Sequence, residues 1–164
     1  AGDTVFLVDT GTDAAPLLAD LGTERPDALL LTHTHRDHVA ALPRLREAFP
    51  GLRILAPEAE PVENAETVDP AGCSPEVGNL RVRALPTSGH SPGGTSYLLP
   101  DEGICYCGDA LFAGSVGGCA GDYEAALDRI RTHLLALPAE TILLPGHGPA
   151  TTVGRERESN PFFA

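Results

Sequence analysis

Thr32-His33-Thr34-His35-Arg36-Asp37-His38 places three imidazoles and a carboxylate within six residues. The run Ala28 to Thr32 leading into it reads as a buried strand. The stretch His38 to Phe49 after it reads as a helix, with Leu42, Leu45 and Phe49 on one side and Pro50-Gly51 as its stop. A strand would hold such a loop rigidly, and the helix start would fix Asp37 and His38. Strand, ligand-rich loop and helix together predict an α/β fold with a site at a strand end.

Working outward, Val5 to Asp9 is a short strand closed by Thr10-Gly11, and Ala14 to Leu21 is a helix stopped by Gly22. Leu52 to Ala56 is a further strand, and residues 57–78 lack periodicity and read as a loop or irregular edge. Leu80 to Leu85 alternates at period two, as a half-exposed strand does. Thr95–Leu99 and Ile104–Cys107 form a hairpin around Pro100-Asp101-Glu102-Gly103. Tyr123 to Leu137 is the clearest helix, striped by Leu127, Ile130, Leu134 and Leu137; Thr141 to Leu144 is a last buried strand. From Gly154 onward the sequence reads as a polar tail. Partial alternation of strands and helices around central hairpin strands argues for a layered domain with mixed sheets.

Three more motifs accompany the first. They are Thr87-Ser88-Gly89-His90-Ser91-Pro92-Gly93-Gly94, Cys107-Gly108-Asp109-Ala110-Leu111-Phe112 and Pro145-Gly146-His147-Gly148-Pro149. Each sets a His or Asp just past an expected strand. One four-coordinate ion cannot use all these groups, so the count predicts two. Imidazole with carboxylate suits Zn, Fe or Mn rather than calcium-type sites. The sixth histidine, His133, falls beside the apolar stripe of a helix and reads as a surface or boundary residue.

Composition narrows the partners. At 164 residues the chain is expected to be one domain, residues 1–164, by a prior of roughly 100–200 residues per domain. With 42% hydrophobic and 21% charged residues, disorder is not expected. No apolar run approaches the roughly 18 residues of a membrane span, and no basic-then-apolar leader opens the chain. Net charge is −12 and every basic residue is Arg, with no basic stripe, so neither nucleic acid nor membrane is an expected partner. Cys73, Cys105, Cys107 and Cys119 form no C-x-x-C pair and read as inert buried thiols, fitting a cytoplasmic protein. The sequence leaves the oligomeric state open.

The order H-x-H-x-D-H, G-H-S-P-G-G, G-D-A-L-F, P-G-H-G-P resembles the metallo-β-lactamase superfamily, and within it the glyoxalase II-like hydrolases. The resemblance runs on into Pro149–Arg157 and Asn160-Pro161-Phe162. It implies an αββα sandwich. His33, His35 and His90 would hold one metal, Asp37, His38 and His147 a second, and Asp109 would bridge them. It also implies two divalent ions, zinc foremost with iron or manganese as options. A bridging hydroxide would attack a carbonyl carbon, with Asp37 and Asp109 as the catalytic carboxylates. A small-molecule thioester such as S-lactoylglutathione is the expected substrate.

The chain departs from the family pattern in three ways. The strands that usually precede the Val5–Asp9 segment are absent, as is the helical domain of full-length glyoxalase II. That absence and the lack of Met fit a fragment or trimmed chain with a short sheet edge. In place of a Gly-Arg-Thr/Ser-Asp stretch stands Gly117-Gly118-Cys119-Ala120-Gly121-Asp122. Arg36, Arg155 and Arg157 are then the candidates for an anionic substrate group, against a plain role as solvated surface. The alternatives are a persulfide dioxygenase of the same superfamily with a single iron, and an inactive or truncated member.

Overall fold

A computed structural model describes residues 4–72, 74–119 and 121–163. Strand β1 (Phe6–Val8) leads through helix α1 (Ala14–Leu21) to β2 (Ala28–Leu30). Helices α2 (Arg36–Val39) and α3 (Leu42–Ala48) then lead to β3 (Arg53–Pro57) and β4 (Glu66–Val68). These strands form a four-stranded sheet in the order β1-β2-β3-β4, parallel throughout. A two-stranded ribbon follows, β5 (Glu76–Val77) with β6 (Leu80–Arg81).

The second sheet is built from β7 (Arg83–Pro86), β8 (Thr95–Leu99) and β9 (Ile104–Gly108). After the small hairpin β10 (Leu111–Phe112) and β11 (Ser115–Val116) come α4 (Tyr123–His133), β12 (Ile142–Pro145), β13 (Thr151–Thr152) and α5 (Val153–Ser159). Its order is β13-β12-β9-β8-β7, with β12 parallel to β9 and the other neighbours antiparallel.

Period-two alternation sorts the side chains into three apolar layers. Ala28, Leu30, Leu55, Ala84, Tyr97 and Leu99 fill the space between the sheets. Leu7, Leu29, Leu31, Ile54 and Ala56 point the other way, onto Leu17 and Leu18 of α1 and Leu42 and Leu45 of α3. Leu85, Leu98, Cys105, Cys107 and Leu143 face Ile130 and Leu134 of the α4 segment and Val153 of α5. Helix, sheet, sheet, helix is therefore the layer order, as the resemblance implies.

Local chemistry sets the helix ends. Asp13 caps α1 by accepting from Ala15 N at 2.9 Å, and Gly22 closes it with its N–H on Leu18 O at 3.1 Å. Asp122 caps α4 through Ala125 N at 3.1 Å.

Four expectations are corrected. The single helix over 38–49 is two, because Pro43 has no N–H to give Val39 and stands in the first turn of a new helix. Helix α4 stops at His133, short of Leu137: the amides of Leu134 and Leu135 both meet Ile130 O at 2.9 Å, and the chain turns away. The single strand over Leu80–Leu85 is two, β6 pairing with β5 and β7 with β8, while residues 57–78 do supply a sheet edge, as β4 on β3. The polar tail contains α5, capped by Thr152. Its Glu156 is fully buried and accepts from Gly114 N at 2.9 Å and Asn160 Nδ2 at 2.8 Å. A buried carboxylate satisfied this way does not look apolar in the sequence.

Cys105 and Cys107 are buried and unpaired; burial pushes Cys107 up to about 12, which fits inert thiols. Cys119 is only half-buried, unlike the buried thiol expected there, and Cys73 lies outside the described residues. Among the described residues no helix is long and apolar enough to cross a membrane.

Leu55 is 2% exposed at the centre of the layer between the sheets. Leu55→Ala is expected to cost about 2–5 kcal/mol in equilibrium urea unfolding, as cavity-forming core truncations do. A loss below about 1 kcal/mol would place this side chain outside the core.

Candidate metal centre

The carboxyl ends of β1, β2, β7, β9 and β12 open on one edge of the two sheets. Asp9 follows β1, His33 to His38 follow β2, His90 lies beyond β7, Asp109 directly follows β9, and His147 lies just past β12. Backbone bonds pin these ends together: Thr95 N donates to Thr32 O at 2.9 Å, Thr10 N to His38 O at 2.7 Å and Gly146 N to Gly108 O at 3.0 Å.

All seven residues singled out in the sequence converge there, in two adjacent groups. His33, His35 and His90 bring one ligand-competent atom each within 4.8 Å of one another, and so do Asp37, His38, Asp109 and His147. His35 Nδ1 is 2.8 Å from His90 Nε2, and His147 Nε2 is 2.9 Å from Asp37 Oδ2. Asp109 stands between the groups. Its Oδ2 is 3.5 Å from both His90 Nε2 and His147 Nε2, and its Oδ1 is 3.3 Å from His38 Nε2.

The inner atoms of this arrangement lack partners. His33 Nε2, His38 Nε2 and Asp109 Oδ1 are buried with no hydrogen bond, even though the last two are neighbours. Buried polar atoms of this kind are rare and each needs an explanation. A cation accepting their lone pairs supplies one, and the donor chemistry of imidazole and carboxylate matches zinc, iron or manganese. The residues therefore fit a pair of divalent ions. Gly146 makes the approach feasible: a Cβ there would stand 2.3 Å from Asp109 Oδ1 and 2.5 Å from His38 Cε1.

Electrostatics follow from burial and neighbours. Burial and the adjacent His38 bring His33 down to about 4, leaving a neutral imidazole with a free lone pair. Burial pulls His38 the same way, but Asp109 and Asp9 outweigh it and raise His38 to about 10. Against its own burial, Asp109 is held below the usual carboxylate range by His38, His147 and His33.

Asp9 was not singled out in the sequence. It accepts from Thr32 N at 2.7 Å and Thr32 Oγ1 at 2.7 Å, and its Oδ2 lies 2.8 Å from His38 Nδ1. This fixes the His38 ring so that Nε2 faces Asp109. Asp9 also holds a positive φ of 56°, an uncommon conformation for a residue with a Cβ. The available signal was the one read at Asp109, an Asp closing an apolar strand. Glu60, in the stretch read as loop, accepts from Thr34 Oγ1 at 3.0 Å and Ser91 Oγ at 2.7 Å, beside the two histidine loops.

Of the arginine candidates, Arg157 is corrected: its guanidinium donates to Leu135 O and Leu137 O at the end of the α4 segment. Arg36 and Arg155 are exposed. The arginine beside the site is Arg129, on α4, which lines a cleft of about 310 Å³ with Ser88, His90, Pro92, Cys119 and Asp122. Helical spacing alone gave no reason to choose it.

Known proteins resemble the chain over most of its length. The model of the metallo-beta-lactamase superfamily matches residues 1–147. Hydroxyacylglutathione hydrolase GloC of Haemophilus influenzae is 32% identical over 96% of this chain and 86% of its own length. The solved BLEG-1 B3 metallo-beta-lactamase is 30% identical with a TM-score of 0.87, covering 100% of this chain and 91% of that one. A protein solved in a di-iron-bound form, TTHA1623, is 33% identical with a TM-score of 0.81, covering 94% and 87%.

The raised pKa of His38 makes metal uptake depend on pH. In the metal-free chain its pairing with Asp9 and Asp109 is stabilising in full below about 6.5 and is lost as pH rises through about 10. At neutral pH, His38 Nε2 must shed its proton before accepting a cation. Zinc uptake near neutral pH is expected to release about one proton per chain or more, followed with an indicator dye in weak buffer. Asp9→Asn, which removes one partner of the imidazolium, is expected to reduce that release; uptake without proton release would contradict the assignment.

Proposed function

This chain belongs to the metallo-β-lactamase superfamily, and from that membership we propose that it hydrolyses thioesters of small anionic thiols at a dinuclear centre. The family and its hydrolase relatives support metal-dependent hydrolysis; the substrate class and the residue roles are the proposal. The observation that carries it is the placement of Asp109, whose single carboxylate lies within 3.5 Å of His38, His90 and His147 and so can serve both halves of the site. His33, His35 and His90 would hold one ion, Asp37, His38 and His147 the other, with Asp109 between them.

Two divalent cations bound there would acidify a shared water near neutral pH and draw charge from a carbonyl oxygen. The protein's own groups do the rest. Asp37 stands at the exposed rim. Its slight burial works against ionisation, but its own backbone amide, His38 and His147 keep its carboxyl below the ordinary range. It is therefore ionised at neutral pH and can accept a hydrogen bond from an attacking water. A thiolate leaves without help from a strong acid, because a thiol ionises near 8.5. That suits a site whose lining offers imidazoles and carboxylates but no lysine.

Arg129 supports an anionic substrate. Its Nη1 donates to Ser88 O at 3.3 Å, and the residue lines the cleft that His90 borders. Asp122, on the same wall, accepts from Ala125 N through Oδ1 as the α4 cap. Thioesters of glutathione carry free carboxylates of the kind a guanidinium binds. The GloC relative from H. influenzae, a hydroxyacylglutathione hydrolase by name, points to the same substrate class.

The chain loaded with zinc, and separately with iron or manganese, is expected to hydrolyse S-lactoylglutathione, and Asp109→Ala to reduce turnover to background. Arg129→Met is expected to raise KM about tenfold for carboxylate-bearing thioesters with little change in kcat, the size of one lost charge-assisted contact. Binding of metal with turnover of a β-lactam, but of no thioester, would contradict the reading.

A further inference from the structure

Glu60 belongs to neither group of candidate ligands, yet it touches the loops of three of them. It sits on the turn after β3, where Glu60 N donates to Pro57 O at 3.0 Å. Its Oε1 accepts from Thr34 Oγ1 at 3.0 Å, and Thr34 lies between His33 and His35. Its Oε2 accepts from Ser91 Oγ at 2.7 Å and from Gly93 N at 2.8 Å, and Ser91 directly follows His90. One carboxylate thus joins the two loops that together make up the three-histidine half.

Gly93 fits this contact through space rather than backbone conformation. A Cβ at Gly93 would stand 2.7 Å from Glu60 Oε2, 2.9 Å from Glu60 Cγ and 2.9 Å from Pro57 Cβ. Only a residue without a side chain lets the amide reach the carboxylate. The other half of the site leans on a different carboxylate, since Asp9 holds His38. Asp9 also reaches Thr32, but it makes no hydrogen bond to the His90 loop.

From this division we infer that Glu60 is a positioning residue for the three-histidine half alone. It holds His33 and His35 in register with His90, and so sets the affinity of that half for its ion without touching the ion. The inference rests on the dinuclear reading above. Groups that orient metal ligands from behind are commonly worth about 10–100-fold in affinity. The hydrogen bonds, rather than the charge itself, do the holding, so a neutral acceptor of the same shape should retain part of the effect.

The test is cobalt(II) titration against a competing chelator, with the metal-free variants first checked for cooperative thermal unfolding. The wild-type chain is expected to bind two equivalents. Glu60→Ala is expected to weaken one of them about 10–100-fold, leave the other unchanged, and at one added equivalent give the cobalt absorption spectrum of His90→Ala rather than that of His147→Ala. Glu60→Gln should fall between wild type and alanine. Thr34→Val and Ser91→Ala, which each remove one donor, should weaken the same equivalent, so the inference stays testable if Glu60→Ala does not fold. Unchanged affinity for both ions, or equal weakening of both, would overturn the role given to Glu60. A wild-type chain that binds a single equivalent would overturn the dinuclear reading. In that case Glu60 keeps its role only if Glu60→Ala weakens that equivalent.

Discussion

Three buried polar atoms without a hydrogen bond, His33 Nε2, His38 Nε2 and Asp109 Oδ1, are the constraint on which the strand-end edge of this molecule depends. An unsatisfied buried group costs about 1–3 kcal/mol, so the fold would not gather three of them without a compensating interaction. The surroundings prevent escape into ordinary hydrogen bonds. Asp9 holds the far side of the His38 ring, and Gly118 O, 2.8 Å from His90 Nδ1, turns Nε2 of that ring toward Asp109. In His33 and His38 the ring hydrogen bonds are used on the outer nitrogens, to Thr32 and Asp9. The inner nitrogens are left to a ligand of opposite chemistry, a cation.

The edge also divides into a fixed floor and an open rim. His33, His38 and Asp109 are buried, whereas His35, Asp37 and His147 are exposed. The floor is set by strand ends that both sheets hold in register; the rim is where a substrate can approach. A cleft of about 440 Å³ runs from His147 and Asp37 past Tyr106 to Phe6 and Val8, and the Arg129 cleft lies by His90.

Much of this was legible in the sequence, for physical reasons. Residues able to bind metal are constrained in type and in place, so the candidates His33, His35, Asp37, His38, His90, Asp109 and His147 stood out as polar residues at the ends of apolar runs. The apolar run from Ala28 and the turn residues Pro100 to Gly103 gave Ala28–Leu30, Thr95–Leu99 and Ile104–Gly108 as strands. What stayed hidden depends on partners distant in the chain. Asp9 meets residues 23 and 29 positions away, and Glu60 meets Ser91 31 positions away. Helix α5 is secured by the buried Glu156, which looks like surface until Gly114 and Asn160 are seen around it. The break at Pro43 was the exception: the proline was visible, and its missing N–H should have ended the first helix.

The most direct test of this account is anomalous diffraction from crystals of the zinc-loaded chain. The account predicts two zinc peaks, one among His33, His35 and His90 and one among Asp37, His38 and His147, both in contact with Asp109. A single peak, or zinc bound away from Asp109, would contradict it.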